Sequence, residues 1–79
     1  MRVQVIVRLK PGVLDVQGKA IESGLVGLGF SDVGNVRVGK VIEFDLGGEN
    51  LKESRGKIEE MCKKLLVNTV IENFEVKEA

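Results

Sequence analysis

Apolar and polar side chains alternate along residues 2–9, RVQVIVRL. Val3, Val5, Val7 and Leu9 fall on one face; Arg2, Gln4 and Arg8 fall on the other, where Ile6 interrupts the polar row. A period of two predicts a strand buried on one side. Lys10-Pro11-Gly12-Val13 predicts a turn: proline presets φ at the second position, and glycine supplies the positive φ that a type II turn requires at the third. From Asp15, placed to cap a helix, the period changes. Ile21, Leu25 and Leu28 stand at i, i+4 and i+7, with Ala20 and Gly24 beside them, which predicts a helix to about Leu28. Gly18, Gly24 and Gly27 each weaken it by roughly 1 kcal/mol relative to alanine. Glycines inside a helix often mark close approach by another element. Gly29 supplies a left-handed cap, with Phe30 set to pack back on the last turn.

Val33–Leu46 contains two apolar stretches, VGNVRV and VIEFDL, around Gly39-Lys40. Two readings stay open here: a hairpin with a two-residue turn, or one long strand bent at Gly39. In the second stretch Ile42, Phe44 and Leu46 share a face. Asn50 and Glu53 have capping-box spacing. The helix they open carries the stripe Ile58, Met61, Cys62, Leu65, Leu66, with charged residues around it. Val70–Lys77 predicts a last strand, with Val70, Phe74 and Val76 on one face. The order is β-α-β-β-α-β: an α+β, two-layer sandwich in which an antiparallel sheet carries two helices on one face.

The 79 residues allow one small domain, 1–79, whose stability margin is thin without added burial from self-association. Lys+Arg and Asp+Glu both number 12, so the formal charge is zero, unlike the basic excess of a dedicated nucleic-acid binder. No apolar run has the length of a membrane span and no signal-peptide pattern opens the chain. A single cysteine, Cys62, forms no internal disulfide. These features predict a cytoplasmic protein. With no histidine there is no imidazole base, no Cys–His pair and no common zinc site.

KPGVLDVQGKA, residues 10–20, is the one stretch that looks like a phosphate loop, and it fails the chemistry. The pattern G-x-x-x-x-G-K-[ST] needs four residues between its glycines; Gly12 and Gly18 enclose five. Ala20 stands where a hydroxyl must hold Mg²⁺, and Asp15 places a negative charge where phosphate would lie. GLVGLG, residues 24–29, lies at a helix end, whereas phosphates bind at helix starts. Glu43 and Asp45 share a strand face, an arrangement that either holds Mg²⁺ or is a solvated surface; the second reading is preferred. Cys62, inside an apolar stripe, is read as core. Lys10, Lys19, Arg37 and Lys40 form a candidate basic patch at one end of the sheet. Ile6, Val41 and Ile71 fall on the sheet face opposite the helices, with Val26 and Val67 near helix edges. Several apolar residues on one such face suggest a covered surface.

LKPGVLDVQGKAI (9–21), LGF (28–30), VRVGKVIEFDL (36–46) and MCKKLLVNTVIENF (61–74) together resemble the PurS family, the small subunit of bacterial and archaeal phosphoribosylformylglycinamidine synthase. The resemblance covers nearly the whole chain. Val16 and Thr69 stand where the family usually has proline, a change expected to affect local rigidity only. The resemblance implies a subunit of a ligase complex in purine biosynthesis, which converts formylglycinamide ribonucleotide, glutamine and ATP to formylglycinamidine ribonucleotide, glutamate, ADP and phosphate. A large synthetase subunit binds ATP and ribonucleotide, and a glutaminase subunit releases ammonia. The PurS-like chain is implied to be non-catalytic, a homodimer or tetramer bridging the other two. ATP, Mg²⁺ and glutamine are then used by the complex, with no cofactor, metal or catalytic residue in this chain. Lys10, Pro11, Gly12, Asp15, Gly18, Lys19, Arg37, Lys40, Ile6, Val41 and Ile71 are the candidate subunit contacts.

Two other classes fit the element order. An amino-acid-sensing ACT-like regulatory domain often carries a turn like Pro11-Gly12-Val13-Leu14, and micromolar binding of free amino acids would favour it. An RNA-binding domain would need stacking aromatics on its sheet. The only aromatics are Phe30, Phe44 and Phe74.

Overall fold

A computed structural model describes all residues from Met1 to Ala79. The elements are β1 (Arg2–Leu9), α1 (Val16–Gly27), β2 (Gly39–Asp45), α2 (Leu51–Met61) and β3 (Glu72–Glu78). The sheet order is β2-β1-β3, antiparallel throughout. This is the expected α+β class with an antiparallel sheet and two helices. The register places Val3 opposite Phe44, and Val5 between Ile42 and Val76. Since side chains alternate, Val3, Val5 and Val7 all point to one face, and all three are buried.

α2 covers that face. Asn50 caps it, accepting from the Glu53 amide at 2.9 Å. Ile58 and Cys62 enter the core beside Val67 and Val76, while Met1, Ile42, Phe44, Leu46, Leu51, Leu66 and Phe74 pack around its margin. Beyond Met61 the helix closes one wider turn over Cys62–Leu66, with the Val67 amide donating to the Cys62 carbonyl at 2.9 Å. An i→i+5 turn rotates the residues that follow it. The expected stripe therefore breaks: Cys62 is buried but Leu65 is 84% exposed.

Three further expectations are corrected. The sheet has three strands, not four, because Val33–Val38 forms neither strand of a hairpin nor an extension of β2. Its amides bond to side chains instead of a strand: Val36 N–H donates to Glu22 and Val38 N–H to Asp15. Asn35 takes a left-handed φ of 56° that stops an extended run. The Lys10–Val13 turn forms, with Val13 N–H donating to the Lys10 carbonyl at 3.0 Å, but Gly12 has no positive φ and the turn is not type II. Val70 does not lie on the inner face of the last strand; it sits in a turn tied by Asn68 and is largely exposed.

The largest departure is the position of α1. Its caps form as expected: Gly18 N–H donates to Asp15 at 2.7 Å. At the far end Gly29 (φ 101°) and Phe30 donate back to Val26 and Leu25, closing a Schellman motif. Yet no residue of α1 belongs to the core or packs against it. The chain measures 48 × 25 × 15 Å, with a radius of gyration of 15.9 Å. A compact domain of this length has about 11–12 Å. The first helix projects from the sheet instead of lying on it, and Ile21, Val26, Leu28 and Phe30 are exposed along it.

Candidate functional site

The residues singled out in the sequence converge where β1 ends and α1 begins. β1 delivers Leu9 and Lys10 to the sheet's end, where the Lys10 amide donates to the Ile71 carbonyl at 2.8 Å. The chain then turns and reaches Asp15, 6% exposed, which is the hub of the region. One carboxylate oxygen accepts from Gly18 N–H at 2.7 Å and the other from Val38 N–H at 2.6 Å. Arg37, next to Val38, donates from its two terminal nitrogens to the carbonyls of Val13 (2.8 Å) and Lys10 (3.0 Å). Glu22, one turn further along α1, accepts from Val36 N–H at 3.1 Å. The segment 35–38 is thus sewn to both the loop and the helix base.

This knot explains two residues. The hydrogen bonds from Val38 and Gly18, in that order, hold the Asp15 carboxyl below its ordinary pKa, helped by the nearby Arg37 guanidinium and opposed by burial. Gly18 is needed because a Cβ there would lie 2.3 Å from the Val36 carbonyl oxygen and 2.8 Å from Asp15 Oδ2. The close approach predicted for a helix glycine is real at Gly18, whereas Gly24 and Gly27 face open space.

The same geometry closes the nucleotide question for this loop. The amides of Gly18 and Val38 are those an anion would use, and the Asp15 carboxylate already occupies both. Glu43 and Asp45 are likewise engaged, by Arg2 (3.7 and 3.3 Å) and Gln4 (2.6 Å to Glu43). No cluster of three or more histidine, cysteine or acidic side chains is assembled that would hold a metal ion.

Beside the knot lies a groove of about 580 Å³, to which Ile6, Pro11, Arg37, Lys40 and Val41 all contribute. Asp15, Lys19 and Arg37 share a smaller cleft on its flank. Gly12 is exposed at the loop tip, and Ile71 is joined to the region through its carbonyl. The candidate basic patch is less free than its sequence suggested. Arg37 is committed to backbone carbonyls, Lys40 reaches Glu72 at 3.9 Å, and the neighbouring Arg8 reaches Glu75 at 3.7 Å. Lys10 and Lys19 form no ion pair. The outer sheet face is mostly a charged lattice, with Ile6 and Val41 as a directly paired apolar spot within it.

Sequence reasoning did not find Glu22 or the bridging role of Arg37. Both act on backbone groups 14 or more positions away, and no local spacing signals such a bond. The size of the apolar surface left bare on α1 was also missed. Its stripe was legible, but not that the stripe lacks a partner within the chain.

The family model described as PurS, phosphoribosylformylglycinamidine (FGAM) synthase, matches residues 2–79. The phosphoribosylformylglycinamidine synthase subunit PurS of Methanocaldococcus jannaschii is 45% identical over 73 residues, spanning 92% of this chain and 88% of that one. The crystal structure of PurS from the same organism superposes with a TM-score of 0.86 at 42% identity, covering 96% of this chain and 92% of the other. A chain in the structure of PurLQS from Thermotoga maritima superposes with a TM-score of 0.87 at 31% identity, covering 99% and 95%.

Proposed function

Because the chain belongs to the PurS family and is a subunit of phosphoribosylformylglycinamidine synthase, a ligase complex of purine biosynthesis, we propose that it is the non-catalytic bridge of that enzyme. It acts as a homodimer that joins the synthetase and glutaminase subunits and keeps their active sites in register, so that ammonia passes between them without escaping to water. ATP, Mg²⁺ and glutamine are handled by the partners, in the cytoplasm, and this chain holds no cofactor of its own.

The observation that carries the reading is the state of the only thiol. Releasing ammonia from glutamine calls for an activated nucleophile beside a base. Cys62 is fully buried in the core, burial pushes its pKa up with a further rise from Glu59, and the chain has no histidine. What the molecule does offer is a stiff, polar-knotted loop with two unpaired lysines and a helix with a bare apolar side. These are docking features. The occurrence of a chain of this fold in a PurLQS structure supports the association.

The test is co-purification with the synthetase and glutaminase subunits in the presence of glutamine and Mg-ADP. A complex containing all three is expected, and failure to form one under those conditions sinks the assignment. No helix is long and apolar enough to cross a membrane.

A further inference from the structure

The groove beside the knot differs in charge from the rest of the outer sheet face. Elsewhere that face pairs its charges, Arg2 with Glu43 and Asp45, and Lys77 with Glu75. The groove, of about 580 Å³, is lined by the cations Arg8, Arg37 and Lys40 and by no carboxylate. Its floor is apolar. Ile6 and Val41 lie directly opposite each other on β1 and β2, Val41 is 55% exposed, and Pro11 joins them in the lining. Arg8 stands opposite Gly39, where a Cβ would come 2.7 Å from the Val7 carbonyl oxygen and 3.5 Å from Arg8 Cγ. Glycine at that position keeps the space beside the Arg8 side chain open.

The cations are held in place without their donors being used up. Arg37 donates from both terminal nitrogens to the carbonyls of Val13 and Lys10. These bonds fix the plane of the guanidinium and leave its other N–H groups for a ligand. Glu75 approaches Arg8 at 3.7 Å and Glu72 approaches Lys40 at 3.9 Å, both beyond hydrogen-bond length.

We infer that this groove binds a small organic phosphate monoester, with the phosphate among Arg8, Arg37 and Lys40 and a flat ring over Ile6 and Val41. A nucleoside 5′-monophosphate has that form. Pockets for small ligands have volumes of about 300–1,000 Å³, a range that includes this groove. A guanidinium held in a fixed plane suits bidentate contact with a phosphate. A phosphate monoester is close to a dianion at neutral pH, so it matches several cations where a single carboxylate matches one. With no aromatic in the lining, the ring is held by burial of apolar surface. The loop at residues 10–20 stays excluded as a phosphate cradle, because Asp15 takes its amides; the groove uses side chains instead. A ligand there ties β1, through Arg8, to Arg37 and so to the loop whose carbonyls Arg37 holds.

The experiment uses the native full chain labelled with ¹⁵N, titrated with adenosine 5′-monophosphate at fixed ionic strength without Mg²⁺. Sodium phosphate, adenosine and an acidic peptide of alternating glutamate and leucine are parallel probes. Saturable shifts of the Arg8, Arg37 and Val41 amides are expected with the monophosphate. Phosphate or adenosine alone should bind at least about 10-fold more weakly, the loss expected when charge-assisted contacts or the apolar contact are missing. Val41→Glu puts a carboxylate on the floor and Arg8→Glu reverses a lining charge; each should weaken binding by a similar factor while the other amides keep their folded positions. Four results overturn the inference: no saturable shift, an equal response to inorganic phosphate, shifts centred away from the groove, or unchanged binding by both folded variants. A chain that takes the peptide and ignores the monophosphate overturns it in favour of protein docking. The native titration decides even where a variant fails to fold. Every arm uses this chain without the other subunits, so a negative result leaves the bridging role standing.

Discussion

α1 and α2 carry apolar stripes of similar length, yet they serve different ends. α2 lays Ile58 and Cys62 on Val3, Val5 and Val76, and its contribution to stability is complete within one chain. α1 is held at its base by polar contacts and leaves Ile21, Leu28 and the following Phe30 exposed to water. The difference lies in how each helix is joined to the sheet. α2 follows β2 through a short glycine turn and returns over the strands. α1 follows a loop tied by its own Asp15 carboxylate and by the Arg37 guanidinium from the segment after the helix, and these contacts orient it outward. A stripe alone says that a helix will be covered; the joint decides by what.

The largest expected effect is on the α2 side. Ile58→Ala removes a fully buried side chain and should cost about 2–5 kcal/mol of global stability in urea unfolding. The next tests the knot. Alanine normally strengthens a helix by about 1 kcal/mol over glycine. At Gly18 the sign should reverse, with a net loss of about 1–3 kcal/mol as the new methyl displaces the Val36 carbonyl. Gly27→Ala, into open space, should keep the ordinary sign and raise the melting temperature slightly. If both glycines behave alike, the knot does not set the position of α1.

Acid gives the third. The Asp15 carboxyl sits below its ordinary value of 3.8 in the folded chain, so its stabilising contribution is full above that pH and is lost as pH falls from there through the folded value. Hydrogen exchange should show the Gly18 and Val38 amides losing protection in that range before the β1 amides do. Asp15→Asn should remove this part of the acid dependence. The smallest effect on stability is expected from Lys10→Glu or Lys19→Glu, within about 0.5 kcal/mol for exposed residues. Those variants should nonetheless weaken assembly with the partner subunits. A variant that unfolds, or assembles normally, counts against the loop as a docking edge.

Local patterns in the sequence revealed the local structure. The alternation of Arg2–Leu9 located the central strand, and Asp15, Gly29 and Asn50 marked helix ends at which hydrogen-bonded caps are observed. The family was legible in motifs along nearly the whole chain. Long-range partners were not legible. The alternation in VGNVRV read as a strand because nothing in it reveals that Asp15 and Glu22 will take two of its amides. The stripe of the second helix ran on through Leu65 because a wider turn carries no local signature. The bare face of α1 follows from an orientation that is set 14 to 27 positions away.

The central claim is that this chain organises an enzyme whose chemistry lies in other subunits. Its most direct test is the coupling of the reconstituted enzyme, measured as formylglycinamidine ribonucleotide formed per glutamine hydrolysed. With the native chain the account predicts a ratio near one, and with Lys10→Glu or Lys19→Glu a fall in the ratio that tracks the loss of docking. A ratio that stays near one while docking is lost would contradict it.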